Sequence, residues 1–213
     1  ATHLLARAER TALVSAWDFS GRPACIDYYQ FWVVGRAVAA KETRNVYSDA
    51  ERQRLGEVFW QRALADANAK RPAGSDASTP PPPTKRLQAA RQRRELETYS
   101  TPWFYTLFGV FSGADYDRSQ DVFQRASLVA YVAAILLLAR LLGFSFAAAA
   151  LFVAALLQWF NPFVDDVIAG NVNRLQLFVL ALFLWLECRA RSPARHALAG
   201  ALLGALLAFK PNL

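Results

Sequence analysis

Two cysteines, two histidines and no methionine leave this chain short of the side chains from which most soluble active sites are assembled. Cys25 and Cys188 are too few for a disulfide framework or a thiolate metal site. His3 and His196 alone do not supply a histidine-ligated metal or a triad base with its partners. No G-x-G-x-x-G, no Walker A loop and no H-E-x-x-H occurs, which excludes the phosphate-cradling turns and the zinc helix that those patterns encode. A one-sided charge stripe is missing too. The net charge of +7 comes from basic residues that are interleaved with acids or set beside apolar runs, so no nucleic-acid partner is expected.

What is present is apolar bulk, unevenly placed. Hydrophobic residues make up 54% of the chain, more than an ordinary soluble domain carries. From Ser127 onward Leu, Ala, Val and Phe dominate, whereas Lys41 to Thr98 is dense in Arg, Lys, Glu, Asp, Gln and Pro. Residues Ala1 to Trp17 do not read as a secretory signal, because Arg7, Glu9 and Arg10 interrupt any apolar core. Ala1 stands where an initiator would, and Lys210 to Leu213 directly follow an apolar run. The chain therefore reads as a fragment open at both ends, with a membrane span expected upstream.

Ser127 to Gly143 and Phe144 to Phe160 are each close to the roughly 20 residues that a helix needs to cross the hydrocarbon, and they abut at Gly143, a natural hairpin turn. Leu175 to Cys188 and Ala197 to Phe209 are shorter runs. With their flanks, four spans are expected, at about 121–143, 144–160, 168–188 and 196–213. Cytoplasmic connections keep an excess of Lys and Arg. Arg189 to Arg195 carries only basic charge and Arg140 lies beside the hairpin turn, so both belong inside. Asn161 to Asn173 carries Asp165 and Asp166 without a base, so it belongs outside. Residues 1–120 then form a long outer region. The expected fold is all-α, a polytopic transmembrane helix bundle with a long helical outer loop, and the chain reads as a multi-pass integral membrane protein.

Within the outer region, Asp27 to Ala40 reads as a helix with Asp27 at the N-cap and Gln30 at the capping-box position. Arg52 to Asn68 has helical composition. The insertion Arg71 to Thr84, with Pro80 to Pro83, is expected to be polyproline-like or disordered. Pro102 to Gly113 is too short to span and reads as an interfacial or re-entrant helix with Trp103, Phe104 and Tyr105 at headgroup level.

The groups left to carry chemistry are carboxylates at the outer face. The order Asp27-Tyr28-Tyr29, Arg36-Ala37, Asn45-Val46-Tyr47, Tyr99-Ser100-Thr101-Pro102, Gly170-Asn171-Val172-Asn173, then Gly200 with Lys210-Pro211 resembles the N-terminal half of glycosyltransferase family 87. That family belongs to the GT-C superfamily and is similar to polyprenol-phosphate-mannose-dependent mannosyltransferases. Asn171 stands where Gln is usual, and about fifty residues separate Tyr47 from Tyr99 where the family is compact.

The resemblance implies a membrane enzyme of the bacterial cell envelope, placed in the plasma membrane. It would transfer a hexose, mannose above all, from a polyprenyl-phosphate sugar donor to a lipid or glycan acceptor at the non-cytoplasmic face, among membrane lipid and without a cofactor. It also implies a catalytic Asp in the first outer loop, the position that Asp27 matches. The chemistry calls for such a group in any case, since an attacking hydroxyl must lose its proton to a base. Tyr28, Asn171 and Asn173 sit in the matching motifs as substrate-binding candidates. Arg36, Arg174 and Lys210 are candidate cations for the phosphate as its charge grows.

Plainer readings stand beside these. Asp27 also suits a helix cap, Asp165 and Asp166 a solvated turn, Asp115-Tyr116-Asp117 a turn, and Asn173 a cap at a span start. Gly200-x-x-x-Gly204 suits close helix packing, and Lys210 suits snorkelling at a span end. A transporter or channel fragment, or a non-catalytic membrane scaffold whose outer loop binds a partner, are the rival classes. The Arg71 to Thr84 tract has few apolar side chains with which to offset the entropy of ordering. Limited proteolysis is expected to cut there first, and protection of the tract would show it to be packed.

Overall fold

The computed structural model describes residues 25–72, 80–97, 100–189 and 191–209. Among them every regular element is helical. The chain divides into two units, with one boundary between Gln120 and Asp121.

The first unit, Pro23–Gln120 with Ile168–Gly170, is built round helix α1, Ile26–Ala39. Nearly every side chain from Tyr28 to Ala37 is buried, so α1 has no polar face and must be covered on all sides. Its covers are α2 (Asp49–Ala69), α3 (Lys85–Gln92) and α4 (Pro102–Phe108), the last continued by a 3₁₀ turn, Gly109–Phe111. Aromatic rings dominate the contacts. Phe31 meets Phe104 edge-on at 5.0 Å, Trp32 meets Phe59 at 5.7 Å and Tyr28 meets Tyr116 at 5.6 Å. Each buried ring stabilises the unit by about 1.5–3 kcal/mol. Two polar tips pin the same elements: Tyr28 Oη donates to the Phe111 carbonyl at 2.8 Å and Trp32 Nε1 to that of Gly113 at 2.9 Å.

The N-cap of α1 is Cys25, with no side-chain cap bond. This corrects the expectation for Asp27, which lies inside the first turn, where the helix dipole favours a carboxylate. Gln30 makes no capping box either, because its Oε1 accepts from the Glu97 amide at 2.9 Å. A true serine cap begins α2: Ser48 Oγ accepts from the Glu51 amide at 3.2 Å. Hydrogen bonds from Arg54, first among several causes, hold the Glu51 carboxyl down at about 2.

The α4 expectation is also corrected. Phe104 and Tyr105 are fully buried, leaving Trp103, Leu107 and Val110 as the exposed apolar residues of that stretch. The first unit has an apolar core of its own, and these two rings enter it.

The long connection between Tyr47 and Tyr99 is closed at its base. Tyr47 Oη donates to the Ser100 carbonyl at 2.7 Å, so its two ends meet. Gly56 on α2 lets the Arg94 carbonyl pass where a Cβ would stand. Thr84 ends the proline tract as the cap of α3, its Oγ1 accepting from the Leu87 amide at 3.1 Å. Residues 73–79, the centre of the tract expected to be disordered, lie outside the described residues.

The second unit contains Asp121–Val167 and Asn171–Leu213. It holds most of α5 (Tyr116–Leu141) and α7 (Asn161–Ala169), with α6 (Phe146–Trp159), α8 (Asn173–Cys188) and α9 (Pro193–Phe209). Its core joins Leu128, Tyr131 and Ile135 of α5 to Val153 and Leu157 of α6 and to Phe163 and Val167 of α7. Gly143, at φ 83°, turns α5 into α6, and Arg140 Nη1 closes the turn on the Phe144 carbonyl at 2.8 Å.

By length and composition α5 is long and apolar enough to cross a membrane. The α6–α7 pair, bent by 64°, qualifies as a second crossing if taken as one broken span. That is fewer than the four spans read from the sequence. The run expected at 168–188 is cut by Gly170, which takes φ 71° and ends α7, so α8 starts afresh and reaches only about 24 Å. Gly200 and Gly204 do not mediate close packing among the described residues, since a Cβ on either meets nothing within 4 Å.

Candidate functional site

Asp27 presents a carboxylate that is neither buried nor free. Its Oδ1 accepts from Arg93 Nη2 at 2.9 Å, with the two side chains 25% and 21% exposed. Arg93 also gives Nη1 to Glu97 Oε2 at 2.6 Å. The element that carries Asp27 is held from a second direction. A Cβ on Gly170 would stand 2.5 Å from Cys25 Cβ and 2.7 Å from Tyr28 Cβ, so the glycine of the G-N-V-N motif lies against the start of α1. With φ in the left-handed region as well, this position suits glycine on both counts.

The other predicted residues of the first unit take structural places. Tyr28 is fully buried, its hydroxyl is engaged by Phe111, and burial pushes its phenol well above the usual tyrosine range. It bolts α1 to the 3₁₀ turn. Arg36 lies over the Trp32 ring at 5.4 Å. Nine positions beyond Asp27, it is about 13 Å further along the helix and on the opposite side, so α1 does not bring this cation to the carboxylate.

The second unit contains a buried polar centre. Arg174 is 2% exposed and donates from Nε to Asp166 Oδ2 at 2.7 Å and from Nη2 to Gln124 Oε1 at 2.6 Å. Gln124 in turn donates to the Val167 carbonyl at 2.8 Å. Three helices, α5, α7 and α8, are thereby tied by one guanidinium. Asp166 is thus no solvated turn, whereas Asp165 is exposed. Asn171 turns inward on its own backbone, its Oδ1 accepting from the Val172 amide at 2.7 Å. Asn173 is the exposed first residue of α8, whose cap is Val172 and not Asn173. Asp115 caps α5 through the Arg118 amide at 3.1 Å, which accounts for half of the D-x-D. Lys210 lies outside the described residues.

Arg93 and Gln124 are the two participants that the sequence did not reveal. Arg93 sits with Arg91 and Arg94 in a basic cluster that reads as a solvated face. Gln124 left a fainter trace, since Gln120, Gln124 and Ser127 recur at helical spacing and are all buried.

Residues 98–213, more than half of the chain, match glycosyltransferase family 87. The chain belongs to that family. No curated protein and no solved structure matches it. Family 87 proteins are membrane glycosyltransferases, so the chain works on a sugar donor and an acceptor, and the resemblance drawn from scattered motifs is upheld. The family match contains Asn171, Asn173 and Arg174 and begins just after Glu97. Asp27, Tyr28, Arg36 and Arg93 therefore belong to the part of this family 87 chain that precedes the matched region.

A buried ion pair punishes the loss of one partner far more than the loss of both. Asp166→Ala, which strands Arg174, is expected to cost about 3–5 kcal/mol, read as a fall in thermal stability in detergent. Adding Arg174→Leu is expected to restore most of it. Equal losses in the single and double variants would show that the pair is not the organising contact of α5, α7 and α8.

Proposed function

We propose that this family 87 chain is the N-terminal part of a polytopic GT-C-type hexosyltransferase, with mannose as the transferred sugar and a polyprenyl phosphate as its carrier. It acts at the non-cytoplasmic face of the plasma membrane in the bacterial cell envelope, with Asp27 as the base. The observation that carries the reading is the partly exposed Asp27 carboxylate, oriented by Arg93 on the helix against which Gly170 of the G-N-V-N motif is packed. An acceptor hydroxyl on a lipid or glycan gives its proton to Asp27 as its oxygen bonds to the anomeric carbon. The bond from that carbon to the phosphate oxygen breaks, and polyprenyl phosphate leaves with the electron pair. Because the leaving group is already a phosphate ester, the step calls for no nucleotide and no cofactor.

The proposed orientation rests on the basic Arg189 to Arg195 connection against the acidic Asp165-Asp166 pair. Asp165, being exposed, is the better reporter of the two acids. With Cys25 and Cys188 replaced by Ala, Asp165→Cys is expected to react with an impermeant thiol reagent on intact cells and Ser192→Cys to stay unlabelled. The reverse pattern would move the site to the cytoplasm.

Asp27→Asn retains the shape of the side chain and an acceptor for Arg93 but loses the proton acceptor. Transfer in the full-length protein, with a polyprenyl-phosphate-mannose donor and a membrane acceptor pool, is expected to fall roughly 10²- to 10⁴-fold. The partly exposed ion pair leaves stability within about 1 kcal/mol. Near-normal transfer by a folded Asn variant would remove Asp27 from the mechanism.

A further inference from the structure

We infer that Arg93 is a positioning residue for the base: the segment separating Tyr47 from Tyr99 reaches back over the start of α1 and holds the Asp27 carboxylate in one orientation. The inference rests on the reading of Asp27 as the base. It assigns a task to a segment that precedes the residues matched to the family.

The arm that carries Arg93 is fixed on both sides. Helix α3 ends at Gln92, and the Arg93 amide still donates to the Ala89 carbonyl at 3.0 Å. The next residue, Arg94, pairs with Glu57 at 2.6 Å, lies over the Trp60 ring at 5.1 Å and passes its carbonyl against Gly56, so the arm is seated on α2. Beyond it the Glu97 amide donates to Gln30 Oε1 at 2.9 Å, one turn along α1 from Asp27. Between these anchors the guanidinium spans two carboxylates, Asp27 and Glu97. A planar fork held this way leaves the Asp27 side chain little rotational freedom.

Geometry decides what the fork is for. Both terminal nitrogens of the Arg93 guanidinium are engaged by carboxylates, Nη2 by Asp27 and Nη1 by Glu97, which leaves the group poorly placed to take a phosphate. Arg93 therefore acts on Asp27 and not on the donor. Orientation is worth having here, because misplacing a reacting group by about 1 Å costs on the order of 10²-fold in rate. The two side chains remain partly exposed, so an acceptor hydroxyl has a side from which to approach.

The test compares Arg93→Gln and Arg93→Lys, each alone and with Asp27→Asn, in the full-length protein with polyprenyl-phosphate-mannose and the membrane acceptor pool. Arg93→Gln is expected to lower kcat roughly 10- to 100-fold and leave the donor KM within about twofold. Arg93→Lys is expected to lose about 3- to 10-fold, because an ammonium cannot reproduce the fork. In the Asp27→Asn background neither is expected to change the residual rate, since an effect exerted through Asp27 vanishes with it. Should the Gln variant melt early in detergent, the Lys variant, which keeps the cation, decides by the same comparison. Wild-type kcat, a loss carried by donor KM, or an equal fall in both backgrounds overturns the positioning role and leaves the base reading intact. Full transfer by Asp27→Asn alone overturns the base reading and, with it, the role of Arg93.

Discussion

A helix without a polar face, lying outside the expected spans, imposes the main constraint on the first unit. In water α1 has to be wrapped, and the wrapping is mostly aromatic: Phe59 from α2, Phe104 and Phe108 from α4, and Tyr116 at the start of α5. Large rings fill such a layer with few side-chain torsions to freeze. The ends of the helix are the places where polar groups reach its surface, and there Asp27 and Arg36 are found. The candidate base is thus held at the rim of a stiff core, where its position is set by packing and its environment by a neighbouring arm.

The second unit answers a different problem. Arg174 and Asp166 are ionised groups taken out of water, which is costly unless each finds charge and hydrogen bonds in compensation. Gln124 and the Val167 carbonyl extend the pair into a chain of contacts that joins α5, α7 and α8. A guanidinium so engaged is poorly placed to be a mobile phosphate ligand. Its weight lies in holding α5, α7 and α8 together.

The connection between Tyr47 and Tyr99 shows how a long excursion is accommodated. Loop-closure entropy grows only slowly with length, so a long excursion costs little once its ends are joined. Tyr47 and Ser100 join them. The two motifs that the sequence holds far apart are neighbours in the fold, and the excursion returns as α2 and α3, packed on α1.

Sequence alone determined the helical class, the two regimes of composition, the helix hairpin turning at Gly143 and the family, because these follow from hydropathy, glycine placement and short ordered motifs that are local in the chain. It also located α1 to within one residue. It erred where local preference met a distant partner. Asp27 has the chemistry of a cap, but Cys25 occupies that place and Arg93, sixty-six residues away, claims the carboxylate. Phe104 and Tyr105 have the composition of an interfacial belt, but the first unit offered them a core. Asp166 has the look of a solvated acid until Arg174 arrives from the next helix. Ion pairs between segments far apart in sequence leave no periodic trace, and an apolar side chain does not encode which apolar surface will cover it. Those choices were made by the tertiary structure, through packing and desolvation that act only once the helices are brought together.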